Sequence, residues 1–485
     1  MKKIKTLLWT FTVLFMVTSC FEDSDDNIVI TGEAKDFIWK GMNYFYIYGN
    51  DVPNLRNETF GISGLANRYD TTPEYEDFLS DFSSPEEIFE ALVFDAGSTD
   101  KFSTIFSNLF QAIDLFNGTS ETNGMLRLFF FQINESGPFY VRIGLVLNGS
   151  NADLAGVERN MVISGVDGTT FTSEEDVLAL LSQSTMTLNF SDYNDNGTED
   201  TSDDTVTPNG QTATVTREVF TDNPVHRTEV ITANNETIGY IMYNSFRDNF
   251  ETELNNAFAQ LQAANVQHLV LDLRYNGGGA IVTAARLATM ISGESPSQVF
   301  SKAFFGPNRL GENRNFNFDN TLGNGTAVNT LNLDKVYVLT TNASASASEL
   351  IINSLRPYID VVQIGTTTTG KTTINTLVFD SPEFNRQQVT NAHTYALLPL
   401  IGDSTNKDEE LVPSTGLVPN IVLEETIANF GTLGDPNEPL LARAIMEITS
   451  ASRFTNSTST NNNNLKPLKL KTDTSSIIDG YMYID

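Results

Sequence analysis

Apolar positions change period twice along this chain, and each change marks a unit. From Asp36 to about Leu109 the pattern is helical and rich in rings, with Phe37, Trp39, Tyr44, Phe45, Tyr46 and Tyr48 close together. Ser84-Pro85-Glu86-Glu87 reads as a helix start: Ser as N-cap, Pro at the first helical position, Glu87 three residues beyond the cap. The helix it opens places Ile88, Phe89, Leu92 and Val93 on one face. Residues 36–120 are therefore expected to form a small helical domain around an aromatic core.

The period then shortens to that of strands. Leu126–Ile133 and Tyr140–Leu147 are apolar runs of strand length. Ala152-Asp153-Leu154-Ala155-Gly156-Val157 and Met161-Val162-Ile163-Ser164-Gly165-Val166-Asp167-Gly168 predict a short helix, a Gly-marked turn, a strand and an Asp-Gly turn. Glu174–Leu181 predicts a helix with Val177, Leu178 and Leu181 on one face; Thr185–Phe190 and Thr212–Arg217 predict closing strands. This order over residues 121–222 resembles a PDZ domain. The resemblance implies that the helix borders a peptide groove. It also makes Arg142, Ile143, Gly144 and Leu145 the loop that receives a terminal carboxylate on backbone N–H groups, with the peptide added as a strand. Ser191–Gln211 reads as a long polar loop. Its Asp192, Asn194, Asn196, Gly197 and Asp203 fall on positions 1, 3, 5, 6 and 12 of an EF-hand-like calcium loop. Asp replaces the bidentate Glu at the last position and no helices flank it, so a solvated loop is the plainer reading.

The third unit, residues 223–450, alternates strand and helix. Ile238–Tyr243 reads as a strand, and Glu251–Ala264 as an amphipathic helix carrying Leu254, Ala257, Phe258 and Leu261. Val266–Leu273 is a continuous apolar run, as for a strand covered on both faces, with His268 expected to pack in the core. Strand–helix–strand order implies a parallel βαβ crossover. The fold class expected is thus α/β and multidomain. A Ser/Thr/Asn linker, Asn456–Asn464, and a short tail follow within residues 451–485, and the tail carries no legible function.

Composition narrows the setting. Twenty-nine basic against 61 acidic residues give a formal charge of −32, which opposes binding to nucleic acid or an anionic surface. Lys2, Lys3 and Lys5 precede the apolar run Leu7–Val17, the layout of a secretory signal peptide and too short to span a membrane. Cys20 follows and is the one cysteine of the chain. It resembles the lipidated cysteine of a bacterial lipoprotein, which implies a signal peptide at 1–19 and membrane attachment through lipid. Glu22, Asp23, Asp25 and Asp26 lie in a tether over 20–35 and resemble the surface-export signal of Bacteroidetes lipoproteins. A cell-envelope location on the outer membrane, with surface display open, is the expectation.

The candidate chemistry sits in two places. Leu271-Asp272-Leu273-Arg274-Tyr275-Asn276-Gly277-Gly278-Gly279 follows a buried strand, and consecutive glycines let backbone N–H groups approach a ligand. Val336–Thr340 leads into Ser344-Ala345-Ser346-Ala347-Ser348-Glu349, a strand-to-helix junction where a serine meets the positive end of a helix. Such serines also serve simply as caps. A serine nucleophile needs a base. Lys371, in Thr368-Thr369-Gly370-Lys371, lies 25 residues beyond Ser346, and a dry lysine can be neutral enough to serve. Only three histidines, 226, 268 and 393, could replace it.

Together these phrases resemble the C-terminal processing (tail-specific) serine protease family, across the second unit and nearly all of the third; Gly416-Leu417-Val418-Pro419-Asn420 matches as well. The resemblance implies a ClpP/crotonase-like α/β protease core and a serine endopeptidase acting near protein C-termini without a cofactor. It implies Ser346 as nucleophile, Lys371 as base and Thr368 as its orienter. Gly278 and Ala347 become oxyanion donors, with Gly277 or Gly279 as alternatives to Gly278, and Glu349 becomes a support. Unfolded or C-terminally exposed proteins are the implied substrates. Two positions depart from the family: Asn375 stands where Gln is common as lysine partner, and Thr372 where Gly is common. Two rival readings stay open, a catalytically silent peptide-binding lipoprotein and a Ser-His hydrolase using His393.

Overall fold

The computed structural model describes residues 31–134, 136–198, 200–450, 466–467 and 481–484. The expected signal peptide, Cys20, the acidic residues after it and the linker 456–464 lie outside the described residues. Among those described, no helix is long and apolar enough to cross a membrane.

The first unit forms helices α1 (Thr31–Phe45), α2 (Pro73–Ser80), α3 (Pro85–Leu92) and α4 (Leu109–Phe116). The predicted start of α3 is realised: Ser84 Oγ accepts from the Glu87 amide at 3.2 Å, and the Glu87 carboxylate accepts from the Ser83 amide at 2.7 Å. The aromatic core expected for this unit alone is instead shared. Phe37, Trp39 and Tyr46 belong to one continuous core with Phe258, Leu271 and Ile351 of the third unit. Helices of eight residues bury too little surface to close a core of their own.

The second unit is an antiparallel sheet. It comprises β1 (Met125–Phe131), β2 (Tyr140–Val146), β3 (Val162–Val166), β4 (Thr185–Asn194) and β5 (Thr205–Thr216), in that spatial order. Helix α5 (Glu174–Leu181) closes its core through Val177 and Leu181 against Leu128, Val141, Ile163 and Leu188. Two expectations are corrected here. The stretch 191–211 is mostly hairpin rather than loop, since β4 and β5 remain paired out to Asn194↔Thr205. Its polar character reflects a ribbon exposed on both faces, as most of β5 is. Arg142, Ile143, Gly144 and Leu145 form no receiving loop; they lie within β2. Phe129↔Arg142 and Leu128↔Ile143 pair across to β1, and the Ile143 amide donates to Met161 O at 3.1 Å. Backbone held inside a paired strand forms no loop of converging N–H groups for a carboxylate.

The third unit contains β6 (Val225–Ala233), β7 (Glu236–Tyr243), α6 (Glu251–Ala263), β8 (His268–Asp272), β9 (Gly279–Ala280), α7 (Ile281–Ser292), β10 (Val299–Phe305) and β11 (Arg314–Asn317). It continues with β12 (Lys335–Thr340), α8 (Ala347–Leu355), β13 (Asp360–Gly365), β14 (Thr373–Asn375), β15 (Leu400–Thr405), β16 (Ile421–Val422) and α9 (Pro439–Thr449). One sheet runs β6-β7-β8-β12-β13-β16, parallel from β7 onward, so the βαβ crossovers are present. His268 is a correction: it opens β8 half-buried beside Glu236, at 3.1 Å, rather than packing in the core. Two short strands beyond the linker are β17 (Lys466–Pro467), on the free edge of β1, and β18 (Met482–Tyr483). The latter completes a second sheet of order β9-β18-β14-β15-β10-β11.

The end of β8 is locked by charge. Arg274 is fully buried; its Nε donates to Asp272, its Nη1 to Glu425 at 2.8 Å and to Glu438 at 2.7 Å. Burial works against the Glu425 carboxylate, yet Arg159 and Arg274 pull it down to about 2. Glu438 also caps α9 by accepting from the Leu441 amide, so one guanidinium ties a strand end to a helix start. Breaking such a cluster from one side leaves buried charge uncompensated, at a cost of about 3–5 kcal/mol. Arg274→Met should therefore lower the unfolding free energy by that amount, seen as a lower guanidinium midpoint with the slope unchanged, read by fluorescence. An unshifted midpoint would show that the three carboxylates do not depend on Arg274.

Candidate active site

Three alternate serines leave β12, and each has a different fate. Ser344 Oγ donates to Leu273 O at 2.8 Å, and Ser348 Oγ donates to Asn276 O at 2.9 Å. Both therefore staple the helix start to the Gly-rich loop. Ser346 sits between them at φ +64°, ψ −115°, a backbone region that costs a non-glycine residue on the order of 1–3 kcal/mol. Its hydroxyl is buried and, apart from the capping contact it receives from the Glu349 amide at the start of α8, has no hydrogen-bond partner among the described residues. Ala347 begins α8 immediately after it, so its N–H is one of those a helix start leaves without an intrahelical acceptor.

One carboxylate joins this serine to the lysine loop. Glu349 Oε2 accepts from the amides of Ser346 (2.7 Å) and Lys371 (2.9 Å). Its Oε1 accepts from Thr368 Oγ1 (2.5 Å) and the Gly370 amide (2.6 Å). Burial pushes the Glu349 carboxyl up, and these four donors act in the opposite direction without cancelling it. Gly370 is required where it stands: its φ is +89°, and a Cβ there would lie 2.4 Å from Ser414 O.

The lysine side chain is only 2% exposed. Nζ donates to Asn375 Oδ1 at 2.7 Å and lies 4.8 Å from the Phe102 ring centre and 4.9 Å from that of Tyr481. Burial drives its pKa well below the ordinary lysine range. Asp100 and Glu349 pull the other way and are outweighed. The short Asn375 is itself held, donating through Nδ2 to Leu398 O and Pro399 O at 3.3 and 3.2 Å. Thr372 donates to Asp403 at 3.0 Å.

The Gly-rich loop closes the third side. Gly278 has φ +121°, and a Cβ on it would sit 2.8 Å from Ser346 Cβ. Its amide donates to Asn276 Oδ1 at 2.9 Å. Asn276 in turn accepts from the Ala345 amide through its own carbonyl at 3.2 Å. A strained hydroxyl, a dehydrated amine and backbone N–H groups at a helix start are the components of acyl transfer.

Ser346, Lys371, Thr368, Gly278, Ala347 and Asn375 thus converge, with three qualifications of geometry. The Gly278 N–H is engaged by Asn276 Oδ1 rather than free for an oxyanion, a correction to the donor role the resemblance implied. Ser346 Oγ and Lys371 Nζ do not hydrogen-bond to each other; Glu349 links them through their backbones. Thr368 reaches the lysine only through Glu349, and also accepts from the Leu417 amide at 2.7 Å. The calcium-loop residues do not converge: Asp192 accepts from Asn209, Asn194 donates to Asn196, and Asp203 accepts from Thr198. No group of three or more His, Cys, Asp or Glu placed for a metal occurs among the described residues. His393 has both ring nitrogens occupied, Nε2 by Asp380 at 2.9 Å and Nδ1 by the Tyr395 amide at 3.2 Å. Asp100, Phe102, Asn276 and Tyr481 were not anticipated. Asn276 could have been read from its place before the glycines, whereas the other three come from distant parts of the chain.

Glu349→Gln offers one acceptor oxygen and places an NH2 against N–H donors, so at least two of the four bonds fail. Each buried group left unpaired costs about 1–3 kcal/mol. The variant should melt at a lower temperature and lose most labelling of Ser346 by a fluorophosphonate. Labelling at the wild-type rate would show that the carboxylate does not position the serine.

With this geometry in place, comparisons with known proteins are specific. The model of peptidase family S41 matches residues 237–421, which include both Ser346 and Lys371. That of the peptidase S41 N-terminal domain matches residues 33–104. A carboxyl-terminal-processing protease of Picosynechococcus sp. is 27% identical over 321 residues, 65% of this chain and 69% of the relative. One from Synechocystis sp. is 23% identical over 435 residues, 88% of this chain and 89% of the relative. A crystal structure assigned to the S41 proteases, from Bacteroides fragilis NCTC 9343, is similar at 27% identity and a TM-score of 0.68. It covers 86% of this chain and 98% of its own.

Proposed function

This chain belongs to peptidase family S41, and from that premise we propose that it is a serine endopeptidase working through Ser346 and Lys371. The observation that carries the reading is the contrast among three neighbouring serines. Two are spent on structure, while Ser346 is strained and buried with only a capping contact to its hydroxyl, and is tied by one carboxylate to a dehydrated lysine.

In the proposed mechanism neutral Lys371 takes the Ser346 proton as Oγ attacks a peptide carbonyl carbon. The Ala347 N–H and the N–H of Gly277 or Gly279 receive the developing oxyanion, since that of Gly278 is taken by Asn276. The lysine proton passes to the leaving amine, and water then hydrolyses the acyl-enzyme. In the resting geometry Asn375 holds Nζ, so the lysine must turn from Asn375 toward Ser346 when substrate arrives; bonds of this kind commonly tighten only in the complex. This chemistry requires no metal or organic cofactor.

The second unit is read as PDZ-like, presenting the ends of protein substrates by strand addition. Since Arg142–Leu145 are inside β2, we move the receiving edge to the outer side of β1, where β17 pairs here. The third unit is read as a ClpP/crotonase-like core. Lipidation at Cys20 would hold the enzyme at the outer membrane, with the acidic tether favouring surface display; the charge of −32 keeps nucleic acid off the list of partners. Unfolded or C-terminally exposed proteins are the proposed substrates.

The test is digestion of unfolded β-casein by the full chain, comparing wild type with Ser346→Ala and Lys371→Ala. Both variants should lose at least a hundredfold in rate while their circular dichroism matches wild type. Digestion surviving Lys371→Ala but lost in His393→Ala would instead favour a Ser-His enzyme. A folded wild type that cuts nothing would favour the silent peptide-binding protein.

A further inference from the structure

Residues Met482–Tyr483 lie between the two halves of the candidate site. As β18 they pair in parallel with β9, Gly279↔Met482 and Ala280↔Tyr483, and with β14, Asn375↔Tyr483. One neighbour follows the Gly-rich loop directly and the other follows Lys371. The Ile484 amide donates to Asn375 O at 3.2 Å, and Thr376 Oγ1 donates to Ile484 O at 3.0 Å. The segment is therefore held by main-chain pairing on both sides, as an extended peptide would be in a cleft that reads sequence loosely.

The residue before this strand meets the reactive groups. The position a Cβ would take on Gly278 is 2.6 Å from Tyr481 O and 2.8 Å from Ser346 Cβ, so that carbonyl and the serine crowd against one glycine. The Tyr481 ring is buried and covers Lys371 Nζ at 4.9 Å. Tyr481 and Tyr483 share an apolar cluster with Phe106, Phe116, Phe379 and Leu398, with Phe116 edge-on to Tyr483 at 4.7 Å. An independent contact comes from earlier in the same tail. Lys466–Pro467 adds antiparallel to the free edge of β1, with Lys466↔Phe130 and Pro467↔Phe129. That is the edge on which strand addition of a substrate is proposed. One tail thus touches both places that a protein substrate would.

We propose that this tail is a built-in substrate, seated with its Tyr481–Met482 peptide bond at Ser346, and that the enzyme cuts its own chain there. The inference rests on the Ser346–Lys371 protease reading and extends it to a substrate class: extended chains with an aromatic residue on the acyl side of the cut and apolar residues just beyond it. Ser346 Oγ adds to the Tyr481 carbonyl carbon and its proton moves to Lys371. The Tyr481–Met482 C–N bond breaks, and that proton goes to the Met482 amine. One water then splits the Tyr481 ester, regenerating the Ser346 hydroxyl and leaving a Tyr481 carboxylate. Until the cut is made, the seated tail excludes other substrates.

Intact-mass spectrometry of the full chain, purified and then incubated, tests this directly. Wild type should convert to a species ending at Tyr481, with a trimmed fraction unchanged on dilution, while Ser346→Ala stays whole. Met482→Pro, which makes the bond a tertiary amide, should also stay whole. β-Casein digestion by the same wild-type sample separates the two levels of the account. Casein cut by a chain that keeps its full mass, or trimming at a different bond, overturns the self-cleavage proposal and leaves the protease reading standing. A full-mass chain that also leaves casein intact overturns both. Trimming that slows in proportion to dilution overturns the seated-substrate geometry, because cleavage would then occur between molecules.

Discussion

The Glu349 carboxylate accepts four hydrogen bonds from the serine junction and the lysine loop, which also meet where Thr369 donates to Ser344 O and Asn342 O. Its two oxygens decide where the Ser346 and Lys371 backbones sit relative to one another. A carboxylate is suited to this because it offers only acceptors, and all four donors are N–H or O–H groups. Burial makes the arrangement sensitive, since a carboxylate deprived of any donor would be a poorly solvated charge. The same carboxylate also raises the cost of neutralising Lys371, so the depressed lysine pKa is a balance in which dehydration outweighs two negative neighbours.

Several remote elements serve that balance. The parallel strands β8, β12 and β13 end side by side, which brings the Gly-rich loop, the serine junction and the lysine loop to one edge of the sheet. The Arg274 cluster secures the first of these ends, and the serines flanking Ser346 tie the second to it. The N-terminal unit contributes the dry wall over the lysine. Tyr46 donates to Asp100 at 2.6 Å, Asp100 accepts from the amides of Phe102 and Ser103, and Phe102 then lies against Nζ. This gives a physical reason for the helical unit to share its core with the third unit.

The legible parts of the chain were those whose signal is local. Helix starts such as Ser84-Pro85, the apolar strand runs and the two reactive phrases all depend on neighbours within a few residues, and they appear where pattern placed them. What was hidden depends on pairing across the chain. The Ser191–Gln211 stretch looked like a loop because its residues are polar, but an exposed two-stranded ribbon has no buried face to mark it. Arg142–Leu145 lies inside the apolar run Tyr140–Leu147, whose strand pattern prevails in the fold over the loop position the family resemblance implies. Phe102 and Tyr481 reach Lys371 only through tertiary packing, from positions 269 residues before and 110 residues after it.

The central claim is that Lys371, kept neutral by burial, activates Ser346. It is tested most directly by the rate of Ser346 acylation by a fluorophosphonate as a function of pH, in wild type and Lys371→Ala. The account predicts that the wild-type rate rises with pH through a single inflection well below the ordinary lysine range, since the base works only when unprotonated. It also predicts that the variant has no such inflection and a rate lower by at least two orders of magnitude. A wild-type rate that climbs only in the ordinary lysine range, or a variant that acylates as fast as wild type, would contradict it.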